Sequence, residues 1–292
     1  MTNSFSYVGR YAPSPTGDLH LGNLQTALLA WLHARLHSGK FLLRIEDIDT
    51  PRVVDGSAEA NIQDLRWLGI DWDGPIRYQS ERHVLYEQAL ERLKEANLIF
   101  PCFCSRKDIR EAASAPHGAV TAYPGTCRNL CAQEQAEAEL IKTPSLRLRC
   151  SQCGDDFVVK RADGIYAYHL VVTVDDLEQG VTHIVRGADL EDSQAQQREL
   201  ASFLEPNRPP IHYISVPLKL DEAGERMSKR FGSESAQGWR DRGLSAPQLV
   251  TQLAKDLGLV DGSQTLSCSE LLGSISLLDW QRAVQQAIPQ VA

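Results

Sequence analysis

The first forty residues read as a strand, a helix and a second strand, and this order constrains the fold more than any other feature. Residues 5–12 (FSYVGRYA) are rich in aromatic and β-branched side chains, which favours a strand that ends at Pro13. Asn23 is then predicted to cap a helix whose apolar residues recur at helical spacing up to Leu36, and FLLRIED at 41–47 has the composition of a second strand. Two strands joined through a helix predict an α/β protein with a parallel sheet.

Residues 101–165 differ in composition from the segments on either side. They hold six of the seven cysteines, and a helix rich in Gln, Glu and Ala is predicted near 131–141. We therefore predict an insertion into the α/β domain. The predicted segments are 1–100, 101–165, 166–232 and 233–292.

Apolar spacing predicts further elements around this insertion. Helices are predicted within 57–68 and 80–96, and strands within 164–176, 181–190 and 211–220. The tail is predicted to be mostly helical, because two pairs in it fit the capping-box pattern: Ser245 with Gln248, and Ser267 with Glu270.

Composition and charge narrow the function classes. The net charge of -8 argues against a protein held on nucleic acid by bulk charge alone, although a local basic face is enough to bind RNA. The N-terminus lacks an apolar signal-peptide core and no apolar run reaches the ~18 residues of a membrane helix, so we expect a cytoplasmic protein without membrane contact. In that setting an odd number of cysteines favours metal ligands or free thiols over a disulfide framework.

The turn between the first strand and its helix has the features of a nucleotide site. Ligands of doubly wound sheets bind where strands end, and a helix start offers N–H groups and partial positive charge to a phosphate. In HLGN, His20 can hydrogen-bond a phosphoryl group, and Gly22 lets a flat base or sugar approach the backbone. Taken alone, this short string also fits a loop histidine without function.

The segment RMSKR at 226–230 is the second indication of phosphate chemistry. Lys229 carries a compact charge on a long stem, which suits contact with the phosphates of a nucleotide. Taken alone, it also fits a solvated charged loop.

Together, RYAPSPTGDLHLGNLQTALL, RIEDID and RMSKR resemble the catalytic half of class I glutamyl-tRNA synthetases over about residues 7–232. HLGN stands at that class's HIGH signature, with Asn23 replacing the second histidine, and MSKR stands at KMSKS. The resemblance implies a Rossmann-type parallel sheet with an inserted zinc-containing α/β subdomain and a short helical C-terminal tail. It also implies that glutamate attacks the α-phosphate of ATP, accompanied by Mg²⁺, and releases pyrophosphate.

The same resemblance assigns roles to residues of this chain. His20 and Lys229 would be catalytic, by stabilising charge on the phosphates. The ATP-binding residues would be His20, Gly22, Asn23, Ser228 and Lys229. The glutamate-binding residues would be Arg10, Tyr11, Ala12, Pro13, Ser14, Glu46, Tyr168 and Arg186. Arg10 and Arg186 suit carboxylates and Glu46 suits the ammonium group, although a structural ion pair is the alternative role of Glu46 and Arg186.

The cysteines of the insertion suggest a metal site. Two thiolates one residue apart in CFC, with a third after a loop in YPGTC, can close a tetrahedral zinc site. The pattern resembles the zinc site of a short paralogue group, the glutamyl-Q tRNA(Asp) synthetases, in which a tyrosine is the fourth ligand. The resemblance implies one structural Zn²⁺ per chain on Cys102, Cys104, Tyr123 and Cys127. The alternative ligands are Cys131, Cys150 and Cys153.

The paralogue group also implies the acceptor of the activated glutamate. About 60 residues follow Gly232, where a full glutamyl-tRNA synthetase continues into a helical domain that reads the anticodon. In the paralogue group glutamate is transferred to queuosine in the anticodon loop of tRNA(Asp). We expect a monomer that contacts this RNA through basic residues of the insertion, or else these are ordinary surface charges: Arg106, Lys107, Arg110, Arg128, Lys142, Arg147, Arg149, Lys160 and Arg161.

Three alternatives stay open at the level of sequence. The first is a short glutamyl-tRNA synthetase that charges tRNA(Glu). The second is a non-catalytic paralogue that binds RNA or glutamate. The third is an enzyme that adenylates an amino acid for an acceptor other than RNA.

Overall fold

The structure, a computed structural model, describes residues 6–112, 123–217 and 235–287. The chain forms two compact units. Unit 1 comprises Met1–Glu81, Gly180–Glu191 and Ile211–Ala292, and unit 2 comprises Arg82–Gln179 and Asp192–Pro210. Unit 2 is larger than the predicted insertion, because helices on both sides of residues 101–165 pack within it.

The helices and strands have the following bounds. The strands are β1 (Val8–Tyr11), β2 (Lys40–Ile45), β3 (Arg77–Tyr78), β4 (Ile99–Cys102), β5 (Ser145–Leu148), β6 (Val158–Lys160), β7 (His183–Gly187) and β8 (His212–Val216). The α-helices are α1 (Leu21–Leu36), α2 (Ser57–Leu68), α3 (His83–Glu95), α4 (Arg106–Ala112), α5 (Ala132–Glu139), α6 (Tyr168–Glu178), α7 (Gln194–Leu204), α8 (Ala236–Asp241), α9 (Ala246–Asp256), α10 (Cys268–Ser274) and α11 (Leu277–Ala287).

Parallel strands form the centre of unit 1. β1, β2 and β3 pair in that order, and β7 pairs with β8, each pair in parallel. Thr182 connects β7 to β1, because its N–H donates to the carbonyl of Val8 at 2.8 Å and its Oγ1 accepts the Val8 N–H at 2.9 Å. The predicted strand–helix–strand unit and parallel sheet are confirmed.

The core of unit 1 surrounds α1. Its residues Leu24, Leu28, Leu29 and Leu32 are fully buried, and the tail helices α9, α10 and α11 supply buried residues to the same core. The indole of Trp280 in α11 donates to the carbonyl of Leu29 at 3.1 Å. The tail is therefore part of the α/β unit. Its predicted capping boxes at α9 and α10 are both present.

Unit 2 is built on an antiparallel sheet in the order β4-β5-β6, with α3, α6 and α7 in mutual contact. Asp175 of α6 accepts hydrogen bonds from Arg82 at 2.7 Å and from the hydroxyl of Tyr86 at 3.1 Å. These buried polar contacts join α6 to the start of α3.

One predicted element is wrong. Residues 164–176 were expected to form a strand, but Tyr168–Glu178 is the helix α6, in which Leu170 to Leu177 are all buried. An apolar run buried on every side lacks the periodicity that separates a helix from a strand, so tertiary packing decided it. Within the described ranges, no helix has the length and apolar character needed to cross a membrane.

Candidate active site and cysteine clusters

His20 is the N-cap of α1 and lies three residues before Asn23, which the sequence predicts as the cap. The Nδ1 atom of His20 accepts the N–H of Asn23 at 3.3 Å, and the Asn23 side-chain oxygen accepts the N–H of His20 at 3.3 Å. This reciprocal pair satisfies N–H groups at the helix start. Because Nδ1 is an acceptor, the neutral ring carries its proton on Nε2. Asn23 therefore sets the tautomer of His20.

Backbone hydrogen bonds hold the loop between β1 and α1. The carbonyl of Pro13 accepts the N–H of Glu46 at 3.0 Å, and the carbonyl of Pro15 accepts the N–H of Val54 at 2.9 Å. The hydroxyl of Tyr11 donates to the carbonyl of Asn23 at 3.2 Å. The loop is therefore tied both to the chain that follows β2 and to the first turn of α1.

Three predicted glutamate-binding residues lie on neighbouring parallel strands of unit 1. Arg10 is on β1, Arg186 is on β7, and Glu46 directly follows β2. Both arginines are buried, at 6% and 4% exposure. Glu46 pairs with Nη2 of the fully buried Arg44 at 3.3 Å, and the Arg186 guanidinium lies 4.7 Å from the ring centroid of Tyr213. Since carboxyl ends of parallel strands share one edge of a sheet, Arg10 and Glu46 belong to the edge at which α1 begins. Arg186 lies on the strand that Thr182 connects to β1.

The remaining predicted site residues are placed as follows. Ser14 is exposed, Ala12 is half-buried and Pro13 is buried in the loop after β1, and Gly22 lies in the first turn of α1. Tyr168 is the first residue of α6, in unit 2, and is 36% exposed. Ser228 and Lys229 lie outside the described residues. Description resumes at Ser235, which forms a β-bridge with His20 and caps α8.

The predicted zinc ligands come together in unit 2. The Sγ atoms of Cys102, Cys104 and Cys127 lie within 4.8 Å of one another, and Cys104 and Cys127 are 3.6 Å apart. The Tyr123 hydroxyl lies 3.5 Å from the Cys102 sulfur and accepts the Cys127 N–H at 2.8 Å. Sulfurs bound to one tetrahedral zinc at 2.3 Å stand about 3.8 Å apart, so this set fits zinc. Cys131 is exposed at the start of α5.

A buried cation lies against this cluster. The Arg147 guanidinium of β5 is 4.0 Å from the centroid of the Tyr123 ring. Burial raises the pKa of Cys102, but hydrogen bonds from Tyr123, Cys104 and Arg147 outweigh it and lower that pKa. Burial and the neighbouring thiols raise the pKa of Cys104 to about 12. Sequence reasoning missed this role of Arg147, because its contact with Tyr123 joins residues far apart in the chain.

The pair Cys150 and Cys153 differs from expectation. The two residues are joined in a disulfide, whereas the odd number of cysteines favoured metal ligands or free thiols. Their sulfurs and the Glu199 carboxylate also form a group that could hold a metal ion, apart from the other cysteines. A count of cysteines over the whole chain does not report which two are adjacent in space.

The predicted RNA-contacting basic face is only partly available. Arg147 is buried, and five other residues bond to local acceptors: Arg128 to Asp156, Lys142 to the carbonyl of Phe103, Arg149 to the carbonyl of Arg128, Lys160 to Glu87 and Arg161 to Asp163. Of the predicted face, Arg106, Lys107, Lys142 and Arg161 are exposed, and the Arg110 side chain is outside the described part. Several cationic residues of the insertion therefore make contacts within the protein. The spacing of residues in the sequence does not distinguish them from cations that are free on the surface.

Comparison with known proteins gives the family. The profile described as tRNA synthetases class I (E and Q), catalytic domain, matches residues 7–154 and 145–265. A glutamyl-Q tRNA(Asp) synthetase of Nocardia farcinica is 46% identical in a 267-residue alignment that covers 86% of this chain and 85% of that protein. The protein of that name from Symbiobacterium thermophilum is 45% identical in a 295-residue alignment that covers 90% of each chain. This chain belongs to the glutamyl-Q tRNA(Asp) synthetase family.

Membership of this family makes the chain a ligase of the class I synthetase type. A crystal structure titled glutamate-tRNA synthetase, from Elizabethkingia anophelis, has a TM-score of 0.76 at 26% identity and covers 96% of this chain and 70% of that chain. The parallel sheet of unit 1 is therefore consistent with the class I fold of the family.

Proposed function

We propose that this protein activates L-glutamate with ATP and transfers the glutamyl group to queuosine in the anticodon loop of tRNA(Asp). The names of its relatives support this substrate and this RNA. The observation that carries the proposal is in unit 1, where His20 caps α1 and the charges of Arg10, Glu46 and Arg186 lie on or directly after strands β1, β2 and β7.

The charges at this edge match those of glutamate. The substrate has two carboxylates and one ammonium group, and guanidinium groups such as Arg10 and Arg186 bind carboxylates through forked hydrogen bonds. Glu46 would hold the ammonium group. Tyr11, Ala12, Pro13 and Ser14 would complete the part of the predicted glutamate site that lies in unit 1. Tyr168 stays a predicted glutamate-binding residue.

The start of α1 would serve ATP. In activation, an oxygen of the glutamate α-carboxylate bonds to the α-phosphorus, and pyrophosphate leaves with the electrons of the broken P–O bond. His20 would donate from Nε2 to a phosphate oxygen, and Lys229 would add a positive charge as the transition state forms. Gly22, Asn23 and Ser228 would line the nucleotide, which Mg²⁺ accompanies. Ser235, which follows Lys229 by six residues in the sequence, forms a β-bridge with His20, and this short separation in sequence supports the proposal.

The cysteine cluster would hold one structural Zn²⁺. Cys102, Cys104, Tyr123 and Cys127 fill four positions, so none remains for substrate. The metal would cross-link the loop after β4 to the segment around Cys127. Among the described residues of the insertion, the exposed cations Arg106, Lys107, Lys142 and Arg161 would face RNA, and a cytoplasmic monomer stays the expectation.

The acceptor is tested in two stages. Glutamate-dependent exchange of pyrophosphate into ATP is measured first without tRNA, and we expect exchange. Labelled glutamate is then offered with tRNA(Asp) that carries or lacks queuosine, and with tRNA(Glu). Only the queuosine-bearing tRNA should be labelled. Equal labelling of both forms of tRNA(Asp) would reject the proposed acceptor, and labelling of tRNA(Glu) would favour a short glutamyl-tRNA synthetase.

The role of Lys229 has a separate test. Because its charge should act on the transition state, Lys229→Ala should lower the rate of exchange at saturation by about 10²-fold or more and change the KM for glutamate much less. Lys94→Ala, which removes an exposed cation of α3, is the control and should leave both constants unchanged. A variant whose only defect is a raised KM would contradict the role.

A further inference from the structure

The turn Cys150–Cys153 in unit 2 has no part in the proposed function. Its four residues, CSQC, follow β5, and the two cysteines have a Cα–Cα distance of 5.9 Å. That distance lies within the usual range for a disulfide, so the backbone need not move when the bond forms or opens. A disulfide across so few residues restricts the unfolded chain least, because the entropic effect grows with the length of the closed loop.

Noncovalent contacts hold the same turn. The Glu199 carboxylate of α7 accepts the N–H of Ser151, of Gln152 at 3.2 Å and of Cys153 at 2.7 Å, and it also accepts the Ser151 hydroxyl at 2.8 Å. Glu199 is 6% exposed, so these bonds are shielded from water. None of them depends on the sulfur–sulfur bond. The cysteines would therefore remain adjacent after reduction, which favours closure of the ring again.

The sulfur of Cys150 also has an acceptor that only the reduced form can use. It lies 2.7 Å from Oε2 of Glu199, and the N–H of Cys153 donates to the same sulfur at 3.0 Å. A thiol at Cys150 donates a hydrogen bond to the carboxylate, whereas a disulfide sulfur has no hydrogen to donate. Glu199 therefore stabilises the dithiol relative to the disulfide.

Exposed neighbours give access to this turn. Cys153 is half-buried, and Ser151, Gln152 and Gly154 beside it are exposed. In the predicted zinc cluster Cys104 is half-buried as well, and Cys102 and Cys127 are buried. A small thiol can therefore reach the turn at Cys153 without opening the core.

We propose that Cys150 and Cys153 form a site of reversible oxidation that exchanges with low-molecular-weight thiols and disulfides, with Glu199 stabilising the dithiol. In reduction, a small-molecule thiolate bonds to the Cys153 sulfur, and Cys150 leaves with the electron pair and takes up a proton. A second small thiolate bonds to the sulfur of the first, and Cys153 leaves and is protonated. The protein gains two electrons and two protons, and the two small thiols become one disulfide. Oxidation is the reverse.

The pair is tested in the full-length protein with glutathione buffers of defined ratio. After equilibration, free thiols are alkylated, and the peptide that contains both cysteines is measured by mass spectrometry. We expect the disulfide to open in excess reduced glutathione and to close in excess oxidised glutathione, with an unchanged circular dichroism spectrum. A bond that opens only in denaturant would be structural and would overturn the proposal.

Glu199 is tested through the equilibrium constant of the same exchange. Glu199→Gln should shift it three- to tenfold towards the disulfide, because the charged acceptor of the Cys150 thiol is lost while the backbone contacts are common to both forms. Ser151→Ala is the matched control, since its hydroxyl bonds to Glu199 in both forms, and no shift is expected. If Glu199→Gln leaves the equilibrium constant unchanged, Glu199 does not stabilise the dithiol and that part of the proposal is wrong.

Single variants distinguish redox chemistry from metal binding. Cys150→Ser should leave Cys153 able to form a mixed disulfide with glutathione, seen as one added glutathione mass, and the double variant Cys150→Ser, Cys153→Ser should not form it. A zinc ion that is bound by the purified protein and lost in Cys150→Ser would make the turn a metal site and would overturn the proposal. This site is independent of the proposed function, so loss of pyrophosphate exchange does not bear on it.

Discussion

In unit 1 the charged residues of the candidate active site stand at the ends of strands that a large apolar core surrounds, whereas in unit 2 the cysteine cluster is itself much of its local core. Arg10 and Arg186 lie on strands beside α1, whose leucines are fully buried. Around the cysteines, the buried cluster consists of Phe100, Cys102, Tyr123 and Cys127. Unit 1 can therefore lose an active-site group without losing its fold, whereas the part of unit 2 around the cysteines should depend on its sulfur ligands for stability.

The largest expected effect tests the first half of this comparison. His20→Asn keeps a good helix N-cap but removes the imidazole, so we expect pyrophosphate exchange to fall by about 10²–10³-fold with little change in the unfolding midpoint. Exchange kinetics and urea unfolding measure the two effects. His83→Gln, at the start of α3, is the control and should keep the exchange rate. A joint loss of stability and rate would show that site and fold are not separable in unit 1.

Cys127→Ser tests the second half. Loss of one ligand should release the metal and destabilise unit 2 by on the order of 3 kcal/mol or more, because the free energy of binding a structural zinc contributes to folding. Metal content and thermal unfolding are the measurements. Cys131→Ser changes an exposed cysteine outside the cluster and should alter neither. Full zinc content in Cys127→Ser would exclude this ligand set.

Arg147→Gln should have a smaller effect on the same cluster. The guanidinium stacks on Tyr123 and compensates negative charge on the ligands, so its loss should weaken zinc retention by about 10-fold, as is usual for groups that support ligands. Competition with a chelator measures the affinity. Arg161→Gln, which removes an exposed cation paired with Asp163, should leave it unchanged. If Arg147→Gln and Arg161→Gln bind zinc with equal affinity, Arg147 contributes only to packing.

The smallest expected effect concerns a stack of aromatic rings that is packed within unit 1. The Tyr7 hydroxyl is 2.6 Å from Nδ1 of His33, and the Tyr7 ring stacks on His37 and His183, with centroids 4.8 and 4.3 Å away. Burial, followed by the charges of the neighbouring histidines, lowers the pKa of His33 from 6.5 to about 3 and that of His183 to about 4. Both rings are therefore neutral in the folded protein near pH 6.

The sign of the pH effect follows from these values. Between pH 6.5 and about 4 the unfolded chain binds protons that the folded chain does not, so stability is greatest above pH 6.5 and falls as pH decreases. His33→Gln should reduce this loss by about 1 kcal/mol or less per pH unit, measured by urea unfolding at pH 7, 6 and 5. His83→Gln lies outside the stack and should keep the wild-type dependence. A slope unchanged by His33→Gln would contradict the assignment to this ring.

The sequence by itself determined the turn between β1 and α1, the strand–helix–strand unit and the capping boxes of the tail. Each depends on residues a few positions apart, so spacing and side-chain type are enough to predict it. The cysteine pattern with Tyr123 was also predicted as a set, from its resemblance to a family site, and the structure brings its members together.

Other features were decided only by tertiary structure. The run in α6 became a helix because it is buried on every side, and His20 rather than Asn23 caps α1 because the two side chains satisfy each other's backbone. The contact of Glu199 with the turn at Cys150 joins residues 49 positions apart. Nothing in local spacing encodes such pairs, because which distant groups meet depends on how the elements pack.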